Sequence, residues 1–277
     1  MRFFATLISL LPASFVVSSS LPSSDYSSMP GGRFYHNSCI ASGVAIEEPC
    51  PYKPLASYYS DWTVYAQSVA PDDSGFTYMS STFTVPSIPL NHGPAKQSSV
   101  YIFNGLEDGG GVHGKASVIL QPVLQYGKSG CLLNPAKWSQ WYISSYVVDG
   151  NGRAHCASTV PVEVGDVITG KMEKSASGNV WNVTTFAVGR EDEASVNTVD
   201  MGDTILDAAY ATMEGMVVYT CDTYPGEGRV EFTDNVLRAG GKDLDIKWKE
   251  EVRHDECGQA VEVGEGGDVA LVWDPEL

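Results

Sequence analysis

From residue 56 onward the sequence is broken into short runs rich in Val, Ile, Tyr, Phe, Thr and Trp, separated by Gly, Asp, Asn and Pro. Such runs fit a pleated, half-buried surface, and the punctuating residues supply turns. Strands are predicted over residues 77–85, 98–103, 116–125, 138–148, 167–174, 180–188, 210–220, 229–232 and 269–273. Asp149-Gly150-Asn151-Gly152 is a strong hairpin turn between two of them. Residues 203–211 are the one stretch with a helical look, and it is short. No internal repeat is evident. This many strands within one span predicts an all-β fold, a β-sandwich or jelly-roll.

Two strands lack a clean polar face. By the period of two, Ile119, Gln121, Val123 and Gln125 share one side of a run that is otherwise apolar. Likewise Thr212, Glu214, Met216 and Val218 share a face, and Met213, Gly215, Val217 and Tyr219 take the other. A carboxylate in the middle of such a strand is costly if buried without a partner. The alternative is an edge position, with Glu214 facing water.

The N-terminus reads as a secretory signal over residues 1–20. Met1-Arg2 gives a positive start, residues 3–17 are apolar but too short for a span, and Ser18, Ser19 and Ser20 offer small residues for cleavage. Residues 21–55 are rich in Ser, Pro and Gly and read as a propeptide or an extended N-terminal arm, leaving 56–277 for the sandwich domain. A secreted, extracellular destination suits the six cysteines Cys39, Cys50, Cys131, Cys156, Cys221 and Cys257. Six allow fifteen pairings. Local loops suggest Cys39–Cys50 and Cys131–Cys156, which leaves Cys221–Cys257. The sequon at Asn182 is a glycosylation acceptor in an exported chain. With 17 Lys+Arg against 34 Asp+Glu, the net charge of −17 argues against nucleic acid or an anionic membrane as partner. A monomer is expected.

Several pieces, taken in order, resemble one family: the glutamic peptidases, or eqolisins, of fungal secreted acid proteases. Asp61-Trp62 followed by Phe83-Thr84-Val85-Pro86-Ser87 resembles the family's opening Asn-Trp and Phe-Thr-Val-Pro strands. Ile119-Leu120-Gln121 is similar to the strand carrying the catalytic Gln. Trp138-Ser139-Gln140-Trp141-Tyr142 resembles the Trp-x-x-Trp-Tyr element. Ala211-Thr212-Met213-Glu214 falls where the family places its catalytic Glu, and Val230-Glu231-Phe232-Thr233 resembles the strand after it. The resemblance spans roughly residues 58 to 235. It implies a concanavalin A-like sandwich of two curved antiparallel sheets with a cleft on one concave face. It implies no cofactor or metal, a protein or peptide substrate, Glu214 as general base and Gln121 as oxyanion donor. A carboxyl raised by burial suits proton transfer at acid pH, roughly 3–5.

The sequence departs from the family around that pair. The Trp-x-Gly-x-Asp pattern is here Phe103-Asn104-Gly105-Leu106-Glu107, an Asp four residues past the Gln is Gln125, and the Pro after Trp-Tyr is Ile143. Phe103, Glu107, Gln125, Trp138, Trp141 and Tyr142 are therefore the expected substrate contacts.

Other chemistries are weaker. The five histidines lack metal-ligand spacing, and no G-x-S-x-G elbow occurs. Gly109-Gly110-Gly111 lacks the Lys-Ser/Thr of a phosphate loop. Carbohydrate is the serious rival, as a glycan-binding lectin-like sandwich or a polysaccharide-degrading enzyme, because Trp138, Trp141 and Tyr142 would stack on sugars. Asp243-Leu244-Asp245 faintly resembles paired glucanase carboxylates, but the third position is Trp248. A glycosidase needs two placed carboxylates, and only Glu107 is available beside Glu214.

Overall fold

The computed structural model describes Leu55 and residues 58–91, 98–109, 118–132 and 134–277, with the backbone of two short strands before them. The expected signal, the arm up to residue 54, Cys39 and Cys50 lie outside the described side chains. The strands run β1 Ile40–Ala41, β2 Val44–Ala45, β3 Tyr59–Val69, β4 Phe76–Thr84, β5 Ser99–Glu107, β6 Ile119–Gly127, β7 Trp141–Val148, β8 Ala154–Cys156 and β9 Val160–Val162. They continue as β10 Val167–Lys174, β11 Val180–Ala187, β12 Ser195–Asp200, β13 Ala208–Val218, β14 Arg229–Ala239, β15 Lys242–Asp243, β16 Lys249–Val252, β17 Ala260–Val263 and β18 Val269–Val272. Chain contacts group Asn37–Leu277 as one unit.

The architecture is the expected β-sandwich of two antiparallel sheets. One sheet has the order β16-β3-β13-β5-β6-β7-β8, with β9 also on β7; the other has the order β12-β11-β10-β4-β14-β18-β17, with β15 on β14. Alternation explains the packing. In β11, Trp181, Val183 and Thr185 point inward and are buried, while Asn182 faces solvent. In β6 almost every residue is buried, because Leu120 and Leu124 enter the inter-sheet core while Gln121, Val123 and Gln125 lie on the opposite face.

The sheets approach closely where Asn104 Nδ2 donates to the Gly170 carbonyl at 3.1 Å. A Cβ at Gly170 would sit 2.2 Å from Asn104 Oδ1 and 2.7 Å from Pro122 Cβ. Gly170→Ala should therefore destabilise the fold by about 2 kcal/mol through overpacking. A lower urea midpoint with an unchanged slope would show it; an unchanged midpoint would mean that the sheets separate freely there.

The helix expected over residues 203–211 is absent. Asp207 N–H bonds to the Glu107 carbonyl (2.9 Å), and Ala70 N–H bonds to the Asp207 carbonyl (2.7 Å). These contacts draw Ala208–Ala211 into β13, so sheet pairing overrides the helical preference of alanine. The Asp149–Gly152 turn does link β7 and β8, with Asp149 Oδ1 accepting from the N–H of Asn151 (2.9 Å) and Arg153 (3.1 Å). Cys131–Cys156 and Cys221–Cys257 form disulfides. No helix among the described residues is long and apolar enough to cross a membrane.

Candidate active site

On the face of the first sheet that turns away from the second, β3, β13, β5, β6 and β7 line a cavity of about 260 Å³. Its floor is apolar: Phe103, Val123 and Tyr146 cluster with Trp62 and Tyr101. One wall is made by residues 129–131 and by Gly152 and Ala154 of the β7–β8 hairpin. The Cys131–Cys156 disulfide ties the two wall segments together. Two polar side chains with no protein hydrogen-bond partner among the described residues reach this cavity, Gln121 and Glu214.

Glu214 is not at an edge. Its strand β13 is hydrogen-bonded to β3 on one side and β5 on the other, and Glu214 pairs with Trp62 and Tyr101. Burial against these rings pushes its carboxyl up to about 7, with a smaller push from the negative charge of Asp61. The strictly alternating face expected for this strand breaks two residues later. The register shifts between Met216 and Val218, so Met216 lines the cavity while Val218 is buried in the core.

Gln121 is buried and pairs across β7 with Tyr146. Glu214 stands in register with Tyr101, which pairs with Gln125, so Gln121 lies four residues along and two strands across from Glu214. In a flat sheet that offset separates Cα atoms by about 16 Å. The two side chains thus enter one cavity from diagonal corners and leave its middle open. Tyr101 and Tyr146 feel the Glu214 charge, and burial raises both phenols, that of Tyr146 to about 12, so both stay protonated donors.

The remaining expected contacts divide. Phe103 lies on the cavity floor. Glu107 is on the same face but at the far end of β5, where it acts on Tyr210. Gln125 is buried under the floor, its Oε1 accepting from the Tyr146 hydroxyl and its Nε2 without a partner among the described residues. Tyr142 is sealed from solvent beside Gln140, with Lys137 Nζ 5.5 Å from its ring centre.

Trp141 and Trp138 are corrections. Trp141 points into the inter-sheet core against Tyr126 (5.2 Å), because it shares the strand face of Ile143 and Val147. Trp138 is not in the strand at all. Pro135 starts a short 3₁₀ turn, Pro135–Lys137, and the Trp138 indole N–H donates to the Leu132 carbonyl at 2.8 Å. Neither ring lines the cavity. Tyr101, Tyr146 and Met216 were missed as site residues, and so was Trp62 despite its place in the Asp-Trp motif. Counting in twos from Phe103, Tyr142 and Glu214 would have found the first three. Asn182 lies on the other sheet, its Oδ1 accepting from Thr198 Oγ1 at 2.7 Å. No group of His, Cys, Asp and Glu among the described residues is arranged to hold a metal ion.

Similarity to known proteins enters through structure. No protein-family model matches the sequence, and no curated protein does. Among solved structures, scytalido-glutamic peptidase, determined with a transition state analog inhibitor, superposes with a TM-score of 0.54 at 15% identity, covering 78% of this chain and 100% of that one. The chain shares the two-sheet β-sandwich fold of that structure. At this identity the likeness concerns fold alone. Basic winged bean lectin with Tn-antigen (TM-score 0.30, 11% identity, 65% and 74% coverage) and the SAP-like pentraxin of Limulus polyphemus (0.29, 6%, 76% and 95%) are too distant to carry an argument.

Proposed function

We propose that the protein is a secreted endopeptidase of the glutamic type acting on protein or peptide chains as a monomer, after loss of a signal over residues 1–20 and processing within 21–55. One observation carries this reading: Gln121 and Glu214, from non-adjacent strands, enter one apolar-floored cavity as polar groups without a side-chain partner among the described residues. The ionised Glu214 takes a proton from a water as that water attacks the scissile carbonyl. The Gln121 amide N–H donates to the oxygen that becomes negative. The protonated Glu214 then returns the proton to the leaving nitrogen as the C–N bond breaks, so base and acid are one residue in successive steps. No metal or cofactor is required by these steps. The stacking platform on which a sugar-binding reading rested, Trp138, Trp141 and Tyr142, is not in the cavity lining, so a peptide is the favoured occupant.

A carboxyl near 7 revises the pH range. At pH 4 only about one molecule in a thousand would carry the ionised base. Hydrolysis is therefore expected to rise with pH through an acid limb near 7, not to peak between about 3 and 5. Asp61→Asn removes one negative neighbour and should move that limb to lower pH, while Asn can still accept the Trp62 N–H now held by Asp61 Oδ1 (2.8 Å). A limb that stays put or moves upward would show that Asp61 does not act on the base. The direct test of the reading is incubation of the mature chain with unfolded protein from about pH 3 to 8, with new termini read by mass spectrometry. Absence of cleavage throughout would overturn it.

A further inference from the structure

Val217, three residues beyond Glu214, has a φ of 59°. β-branched side chains rarely occupy that left-handed region. The register steps from Met216↔Ser60 to Val218↔Tyr59, so Val217 is the extra residue of a β-bulge. Both of its backbone polar groups are pinned by hydroxyls from the flanking strands. Its N–H donates to Ser60 Oγ at 2.8 Å, and its carbonyl accepts from Ser98 Oγ at 2.7 Å. Ser60 stands in β3, and Ser98 immediately precedes β5.

A second register step lies on the other side of Glu214. Met213 pairs with Val64 but Glu214 pairs with Trp62, which leaves Thr63 as an extra residue on β3. Thr63 is also pinned: its Oγ1 donates to the Met213 carbonyl (3.1 Å), and its own carbonyl accepts the N–H groups of Arg253 (3.0 Å) and His254 (3.2 Å). Without this bulge Thr63 would oppose Glu214 and Trp62 would turn to the other face. Between the bulges, Gly215 has no room for a side chain: a Cβ there would lie 2.6 Å from Val218 Cγ2 and 2.8 Å from Tyr224 Oη.

We propose that the two bulges aim Glu214 into the cavity, and that Val217, held by Ser60 and Ser98, is a positioning residue for it. The geometric part stands by itself; its consequence for hydrolysis rests on the peptidase reading above. Bulges re-aim side chains, and strain persists where the surroundings over-determine it. With the hydroxyls removed, Val217 relaxes toward extended backbone and β13 shifts around Glu214. The ionisable groups acting on Glu214, or on which it acts, are Asp61, Tyr101 and Tyr146, and none of them is altered by the variants below.

The test is Ser60→Ala/Ser98→Ala, with and without Val217→Gly. It reads hydrolysis and the titration of Glu214 by ¹³C NMR of labelled carboxyls, assigned with Glu214→Gln. The double serine variant should lower kcat about 10- to 100-fold with KM little changed, because a misplacement near 1 Å has that cost. It should also shift the Glu214 titration midpoint. Adding Val217→Gly should restore both, since glycine holds a positive φ without pins. An unmoved midpoint and rate would overturn the proposal, as would a loss that glycine does not rescue. Should the double variant fail to fold, Ser60→Ala alone, at an exposed position, decides by the same two readouts. A wild-type chain that hydrolyses nothing would defeat the peptidase reading, while the titration would still judge the bulges.

Discussion

Glu214→Gln is expected to lower kcat/KM for peptide hydrolysis by about 10²–10⁴-fold, the usual worth of a positioned acid–base group. The same substitution should stabilise the protein at neutral and higher pH. The folded carboxyl is raised to about 7 by burial, whereas an unfolded one titrates near 4.5. The protonated form is therefore favoured by folding. Its contribution to stability is fully present below the unfolded value and is lost as pH rises through the folded one. Above pH 7 the wild type holds a desolvated carboxylate, at a cost of at most about 3 kcal/mol. Gln removes that charge, so urea unfolding at pH 8 should shift to higher denaturant, while at pH 4 the two proteins should unfold together. Activity lost with stability gained cannot be mistaken for misfolding. Retained hydrolysis would remove Glu214 from the reaction, and equal stability at pH 8 would mean that the carboxylate is well solvated.

Gln121→Ala should lower kcat by about 10²–10³-fold with a small effect on KM, the range measured for removal of one oxyanion donor. The donor is aimed at a charge that exists only in the transition state, so ground-state binding does not report it. Gln121→Glu is the sharper variant. It exchanges a donor for a second carboxylate in the cavity that holds Glu214. The two groups then repel, and the acid limb of the pH–rate profile should move to higher pH. A KM effect equal to the kcat effect in Gln121→Ala would assign the residue to ground-state binding alone.

The sandwich was legible because its signal is local. Alternation in β10 and β11 and turn residues at Asp149–Gly152 each point to the same local answer. Glu214 was legible for the opposite reason, a charge where its neighbours are apolar. What could not be read depended on partners far along the chain. Ala208–Ala211 favours helix until Glu107 and Ala70 supply sheet hydrogen bonds. Val218 leaves the face of Glu214 because of the bulge at Val217, whose backbone groups bond to hydroxyls at positions 60 and 98. Trp62 joins that face through the bulge at Thr63. Period-two counting has no term for an inserted residue. Trp138 and Trp141 misled because an aromatic beside a candidate site suggests contact with it, while strand parity sends Trp141 inward and Pro135 removes Trp138 from the strand.

The Cys131–Cys156 cross-link has a consequence for how a chain would be captured. It ties the irregular segment at residues 129–131 to the β7–β8 hairpin, and the two together form one wall of the cavity. Left untied, the irregular segment would have to become ordered around an incoming ligand, and that loss of conformational freedom would oppose binding. With the bond formed, most of that freedom is already gone before any ligand arrives. The wall then works as a preset template, and affinity depends on what the occupant fits rather than on how far the irregular segment must move.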